Sequence, residues 1–269
     1  MTASAQRLAA QLRSRTDTLG TAVRSGIRAN SASKLNKQGL SAIHEAAFLS
    51  IARSFEVFLE ELFFVAVSEP PGKSGLVDVS PRINFDTRAE AEEYVLDNKD
   101  YLDWLPWAPV TTRRSERYLA SGGPFGRLER APQEKSFLKD HHTIRNAIAH
   151  ESGTARTRFL KLPPVTKLPP SQQTPSGLLQ SVDKNNNAFW VRHTQNLLNV
   201  SRVLSAPDMA TARAYILVED PYRVGERPGD CGPFRCRKCG NTRKLTRATA
   251  AMPGCQVCSA GADSLWDRV

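Results

Sequence analysis

Residues 141–150, with the sequence HHTIRNAIAH, bring together side chains that can do chemistry. His142, Asn146 and His150 recur every four residues, so on a helix they share one face, and Arg145 lies beside that face. A guanidinium can hold a phosphate through paired N–H donors, and an imidazole can gain or lose a proton near neutral pH. With His141 nearby, these residue types at one helix end favour phosphate chemistry.

An amphipathic helix with no chemical role is the alternative interpretation of the same residues. Phe137, Leu138, Ile144 and Ile148 follow helical spacing and predict a buried apolar stripe. A histidine in the last turn also interacts favourably with the helix dipole. For any one of the polar residues taken singly, this structural role is the better explanation.

As a set, Arg145-Asn146-Ala147-Ile148-Ala149-His150 resembles the signature of the HEPN family: an arginine, a polar residue that is often asparagine, three more residues, then a histidine. HEPN domains are all-α helical bundles, and many act as metal-independent ribonucleases. The resemblance covers residues 5 to 215 as a helical pattern. Only residues 145 to 150 match as a motif, and a long insert at about 70–131 departs from a minimal bundle.

The resemblance implies that Arg145, Asn146 and His150 are catalytic residues of an endoribonuclease. His150 would act as general base or acid at an RNA 2′-hydroxyl or leaving 5′-oxygen. Arg145 would hold the scissile phosphate, and Asn146 would orient the imidazole or contact the phosphate. Because the 2′-hydroxyl is the nucleophile, RNA is the expected substrate and no catalytic metal is expected.

The same resemblance implies a homodimer in which two motif helices meet, so that each cleft takes Arg145 and His150 from both chains. Family members often act as growth-arresting or defence effectors, and a further interpretation makes this chain a toxin-like protein silenced by a separate protein. The alternative from another class stays open: a non-catalytic dimeric module that binds RNA or protein.

Helical spacing of apolar residues predicts the elements that position the motif. The strongest pattern runs from Leu35 to about Val67, with Ser31 or Ser33 as its N-cap. The motif helix opens at Pro132 and closes at Ser152-Gly153. Other helices are predicted at 5–27, 87–96 and 188–204, and a proline-rich connector at 160–177. The fold class predicted is an all-α, HEPN-like bundle over residues 1–215.

Two further groups of residues have alternative roles. Glu56, Glu60 and Glu61 on the long central helix are expected to face solvent, with an ion pair from one of them to Arg145 as the alternative. Trp104 and Trp107 in the insert are expected to pack onto the bundle, with base stacking as the alternative.

Two cysteine pairs, Cys236-x-x-Cys239 and Cys255-x-x-Cys258, are separated by residues 240–254. This is the spacing of a four-thiolate zinc site, and the segment resembles a zinc ribbon. We expect one structural zinc per chain, because four thiolates leave no open position for catalysis. A redox pair is the alternative. Cys231 is expected to be a spare thiol, with a role as substitute ligand as the alternative.

Basic residues surround these cysteines, and Arg237, Lys238, Arg243 and Lys244 are predicted to contact nucleic acid. A net charge of +10 and a pI near 9.6 also favour an anionic partner, RNA above all. Partial neutralisation of the zinc-thiolate charge is the alternative explanation, and the ribbon could instead bind a protein.

Bulk features complete the prediction. Residues 216–230 are expected to be a linker, and 231–262 the zinc ribbon. No targeting segment or membrane span is recognisable. Five cysteines, an odd number without an export signal, favour a cytoplasmic, reducing environment.

Overall fold

A computed structural model describes residues 3–97, 99, 101–150, 152–182, 188–216, 222–223, 232–236, 242–245, 253 and 265–268. The chain divides into two compact units, Met1–Ala212 and Arg213–Val269. The described part of the first unit is built of helices, as the sequence predicts. Within the described residues, no helix has the length and apolar character needed to cross a bilayer.

Two long helices begin the first unit: α1, Ser4–Ser31, and α2, Lys37–Ser68. The N-cap of α2 is Asn36, whose side-chain oxygen accepts a hydrogen bond from the backbone N–H of Gly39 at 2.7 Å. The prediction that Ser31 or Ser33 caps α2 is therefore wrong. Ser31 ends α1, and Ser33 lies in the left-handed region with φ of 56°.

Helix α2 forms the centre of the bundle, and it packs against α1 and against helices from later in the chain. Its residues from Leu62 to Val67 are all buried, so this last part of the helix is enclosed on every side. The insert provides this enclosure. It comprises α3 (Pro71–Ser74), α4 (Arg88–Leu96), a π-helical turn (Trp107–Thr111), α5 (Thr112–Tyr118), α6 (Gly123–Gly126) and 3₁₀ turns at Ala120–Gly122 and Arg127–Arg130.

Buried aromatic rings attach the insert to α2. Trp104 and Trp107 are 1% and 3% exposed, which confirms core packing over base stacking. The Trp104 indole N–H donates to the Glu60 carboxylate at 3.3 Å, and Arg88 donates two hydrogen bonds to Glu61, at 2.6 and 2.7 Å. Glu60 and Glu61 thus anchor the insert, whereas the sequence analysis placed them facing solvent.

The remaining helices of the first unit are α7 (Pro132–Ala149), α8 (Gly153–Leu160), α9 (Pro163–Thr166), α10 (Pro175–Gln180), α11 (Phe189–Ser205) and α12 (Met209–Arg213), with a 3₁₀ turn at Pro170–Gln172. The motif helix α7 ends at Ala149, and His150 is its C-cap. The sequence predicts that α7 closes at Ser152-Gly153, and this prediction is wrong. The Ser152 hydroxyl instead caps α8 by accepting from the Ala155 N–H at 3.2 Å.

A buried arginine joins the insert to the end of α11. The Arg127 guanidinium donates to the backbone carbonyls of Val203, Leu204 and Ala206, which lack partners within the helix. It also pairs with the carboxylate of Asp78. One side chain therefore satisfies the C-terminus of α11 and fixes the insert beside it.

The described part of the second unit is an antiparallel sheet with strand order β1-β4-β2-β3. The strands are β1 (Tyr222–Arg223), β2 (Gly232–Cys236), β3 (Thr242–Leu245) and β4 (Leu265–Arg268). Strand β1 lies inside the predicted linker 216–230, and β4 lies beyond the predicted end of the ribbon at 262. Strands of two to five residues are too short to show a clear period-2 pattern in sequence.

Candidate functional site

Helix α7 holds the motif by burying its other side. Leu138, His141 and Ile144 are buried, and α7 packs on α2 and α11. Arg145 and Asn146 are both half-buried. Asn146 lies away from the buried face, whereas Arg145 follows His141 by one turn and lies at the edge of that face. The apolar stripe predicted from the sequence is thus the element that positions the polar residues.

A continuous chain of hydrogen bonds links the motif residues. Arg145 Nη1 lies 3.1 Å from Asn146 Oδ1 and 3.3 Å from His150 Nε2. Asn146 Nδ2 lies 3.0 Å from His142 Nε2. Because a guanidinium only donates, Asn146 must accept through Oδ1 and donate through Nδ2. The same argument makes His142 Nε2 and His150 Nε2 the acceptors of these two contacts.

The motif is open at its His150 end. His150 is exposed at the C-cap of α7, where its ring can reach a ligand from solvent. Among the described residues, no carboxylate lies within ion-pair distance of Arg145. The guanidinium therefore keeps donors for an anion.

Glu56 on α2 is a second ionisable group close enough to Arg145 to feel its charge. Burial raises the pKa of Glu56, and the positive charges of Arg145 and Arg53 oppose that rise. The carboxylate forms no described ion pair with Arg145, unlike the alternative raised from the sequence.

His142 holds another motif residue, Asn146, in position. Burial lowers its pKa, and the nearby charges of Arg145 and Arg158 lower the pKa further. A ring that stays neutral at pH 7 and accepts from Asn146 can fix that amide, which in turn fixes Arg145. His142 therefore acts on the site through Asn146.

His141 is not part of the motif surface, although the sequence analysis placed it beside the other imidazoles. It is fully buried, and its Nδ1 lies 2.9 Å from Nε2 of His193 on α11. The two rings stack with centroids 5.2 Å apart. Burial lowers the pKa of His141 to about 3 and holds the pKa of His193 well below its usual value.

Sequence reasoning missed His193, although its position carried a signal. It falls one turn after Phe189 and one turn before Leu197, on the apolar stripe of α11. A histidine at such a position is expected in the core, where it needs a polar partner.

A cleft of about 370 Å³ opens beside His150. Its walls include His150, Ser152, Arg156 and Phe159, with Gln173 and Thr174 on the far side. A larger cleft of about 720 Å³ lies in the insert and shares no residue with the motif. Its lining carries Lys99 and arginines 113, 114 and 117 together with Glu90, Glu93 and Asp97, so the carboxylates offset most of its positive charge.

The sheet of the second unit brings the flanks of the two cysteine pairs together. Cys236 ends β2 and is paired in register with Trp266 of β4. The Trp266 indole, which is fully buried, donates to the Pro253 carbonyl at 2.8 Å. Pro253 precedes Cys255 by two residues. Trp266 therefore connects Cys236 of the first cysteine pair to Pro253, which lies just before the second pair.

Only some of the other predicted metal ligands and basic residues lie among the residues that the structure describes. Cys239, Cys255, Cys258 and Cys231, with Arg237 and Lys238, lie outside the described residues. Arg243 is exposed on β3, and Lys244 follows it in the same strand. Within the described residues, no group of three or more His, Cys, Asp or Glu side chains is placed to hold a metal ion.

Comparison with known proteins gives no assignment. No protein-family model matches the chain, and neither a curated protein nor a solved structure is similar to it. The function is therefore inferred from the motif residues and their geometry.

Proposed function

We propose that the chain is a metal-independent endoribonuclease of the HEPN type, with Arg145, Asn146 and His150 as its catalytic residues. The observation that carries the proposal is the 3.3 Å contact between Arg145 and His150 at the exposed end of α7. A guanidinium without a described carboxylate partner and an imidazole open to solvent are the groups that RNA transesterification requires.

The proposed reaction begins when the scissile phosphate displaces His150 from Arg145. A phosphate oxygen is a stronger acceptor for a guanidinium than a neutral imidazole is, so binding releases His150 Nε2. That nitrogen then takes the proton of the RNA 2′-hydroxyl, whose oxygen attacks the phosphorus. Arg145 stabilises the negative charge that develops on the phosphate oxygens.

The leaving group also needs a proton. As the bond from phosphorus to the 5′-oxygen breaks, an acid must protonate that oxygen, leaving a 2′,3′-cyclic phosphate and a 5′-hydroxyl. One imidazole cannot be base and acid in the same step. A homodimer that presents a second copy of the motif supplies the other imidazole, and for this reason the proposal includes a shared cleft.

Zinc is proposed as a structural ion held by Cys236, Cys239, Cys255 and Cys258. The register of Cys236 with Trp266, and the bond from Trp266 to Pro253, support this assignment because they draw the two cysteine pairs' flanks together. When bound, the ion would supply folding energy to this small unit, on the order of 10 kcal/mol. Arg237, Lys238, Arg243 and Lys244 would add contacts to the RNA backbone.

The alternative is a non-catalytic dimeric module that binds RNA or protein. Its supporting observation is that Arg145 already satisfies Asn146 and His150 within one chain. For the endoribonuclease we propose a role as a cytoplasmic toxin or defence effector, with RNA as substrate and a separate neutralising protein as partner.

The test is cleavage of RNA by the purified full-length chain in EDTA. We expect cleavage to products ending in a 2′,3′-cyclic phosphate, and a loss of about 10²–10⁴-fold in rate for His150→Ala. Equal rates for the wild type and this variant would overturn the catalytic proposal. RNA binding without cleavage by the wild type would favour the binding module.

The shared cleft has its own test in mixed dimers. A mixed dimer of one wild-type chain and one His150→Ala chain keeps only one of the two imidazoles that the step needs. Mixing the wild type with an excess of His150→Ala should therefore remove most of the wild-type activity. Activity that stays proportional to the amount of wild-type chain, with mixed dimers detected by mass spectrometry, would contradict the shared cleft.

A further inference from the structure

The cleft beside His150 has the composition of an anion site. Its described walls carry one arginine and one histidine, Arg156 and His150, and no Asp or Glu. Its volume of about 370 Å³ lies within the range of small-molecule sites and can take one nucleotide unit. Phe159 and the half-buried Pro175 provide an apolar wall for a sugar or base.

Arg156 is placed and free to serve this cleft. Its backbone is fixed in the first turn of α8, where its N–H donates to the Ser152 carbonyl at 3.0 Å. Its side chain is exposed and forms no ion pair or hydrogen bond among the described residues. A guanidinium in that condition keeps its whole fork of donors for a ligand.

The cleft continues from the motif, because His150 belongs to both. Arg145 serves one side of the His150 ring and Arg156 lines the cleft that His150 borders. A ligand that uses both guanidinium groups, Arg145 at the His150 ring and Arg156 in the adjoining cleft, must carry more than one phosphate. An RNA strand has phosphates at regular intervals. A free mononucleotide would use only one of the two guanidinium groups.

We infer that this cleft binds the RNA phosphate next to the scissile one, with Arg156 as its ligand. The inference rests on the proposed action of the motif on RNA. Arg156 positions the strand and does not touch the reacting atoms. Its loss should therefore weaken binding while leaving the chemical step unchanged.

The test compares full-length Arg156→Gln with the wild type and with Arg13→Gln, an exposed arginine on α1 that serves as the matched control. The ligand is a 2′-O-methyl RNA hexamer, which lacks the nucleophile and cannot be cut. We expect Arg156→Gln to bind about 5- to 10-fold more weakly. The slope of log affinity against log salt should fall by about 0.7, the share of one phosphate on a single strand.

Kinetics provide the second readout. With an unmodified RNA hexamer, Arg156→Gln should raise KM by a similar factor and leave kcat within about 2-fold. Arg156→Lys should recover part of the affinity, since a point charge replaces the planar fork. A purely structural role for Arg156 would instead lower the thermal stability and kcat together, and would overturn the inference.

The two proposals fail separately. If Arg156→Gln and Arg13→Gln bind the hexamer alike, with the same salt slope, the phosphate site is overturned, whatever the nuclease activity. If the wild type cuts no RNA yet binds the hexamer through Arg156, the site stands and the catalytic proposal is overturned. If the wild type does not bind the hexamer, the phosphate site is overturned, and if it also cuts no RNA, both proposals are overturned.

Discussion

Arg145 and His150 are five residues apart, and Nη1 of the arginine lies 3.3 Å from Nε2 of the histidine. The contact exists because α7 ends between them. His150 takes an extended backbone conformation, with φ of −132° and ψ of 120°, and its ring folds back beside Arg145. A helix continued through residue 150 would set the two side chains at different angles around its axis. The helix end therefore creates the pair.

Arg145→Lys is expected to remove activity although the charge is kept. A lysine cannot donate to Asn146 and to a phosphate with the fixed geometry of a guanidinium. We expect kcat for RNA cleavage to fall about 10²–10³-fold, the usual cost of losing one preorganised donor to the transition state. Single-turnover cleavage in EDTA is the measurement. Lys139→Arg, on the same helix, is the control and should not change kcat.

Local pattern accounts for the helices that were predicted correctly. The apolar faces of α2 and α7 repeat at helical spacing over many residues, so the sequence alone located both elements and the motif face. The cap residues were less certain, because Ser, Asn and Gly can end one helix or begin the next. Ser152 illustrates this: it was assigned to the end of α7 and instead begins α8.

Tertiary contacts account for what the sequence could not give. The partner of His141 is a histidine 52 residues away, and nothing local identifies it. Likewise, nothing in the sequence distinguishes Arg156 from the other 36 lysines and arginines. Only the position of α8 in the fold places it in the cleft that His150 borders. The spacing of residues along one helix identifies the side chains that share a face of that helix. A site formed by several elements can be recognised only in the folded structure.

The His141–His193 pair should make the fold sensitive to acid. Both folded-state pKa values lie below the unfolded value of about 6.5, that of His141 at about 3. Their contribution to stability is complete above pH 6.5 and is lost as the pH falls from 6.5 towards 3, because the unfolded chain binds protons that the core excludes. Each histidine adds a slope of up to ~1.4 kcal/mol per pH unit.

Urea unfolding of the helical unit between pH 7.5 and 5 measures this slope. His141→Leu with His193→Leu should flatten it, since two apolar side chains replace the hydrogen-bonded pair. His150→Ala is the control, because an exposed histidine has no burial to lose. An unchanged slope in the double variant would show that other groups cause the acid sensitivity.

Arg127→Met should be strongly destabilising. The substitution keeps the aliphatic stem but leaves the carbonyls at the end of α11 and the Asp78 carboxylate without their partner. Leaving buried carbonyls without a donor costs about 1–3 kcal/mol of unfolding free energy, and the partly exposed Asp78 carboxylate adds less. Arg130→Met, at an exposed position in the same turn, should stay within about 0.5 kcal/mol. Denaturant midpoints of the two variants decide the matter, and similar values would refute the role assigned to Arg127.

Trp266→Phe should weaken the proposed zinc site without removing a ligand. Phenylalanine keeps the buried ring but cannot donate to the Pro253 carbonyl, so the approach to Cys255 loses its link to β4. One hydrogen bond is worth about 1 kcal/mol, which corresponds to about 5-fold in zinc affinity measured by competition with a chromophoric chelator. Trp190→Phe, in the helical unit, should have no effect. Cys236→Ser should lower the zinc content below one per chain while helical circular dichroism persists, because the helical unit has its own core. Equal zinc affinity in Trp266→Phe and the wild type would show that the bond to Pro253 does not organise the metal ligands.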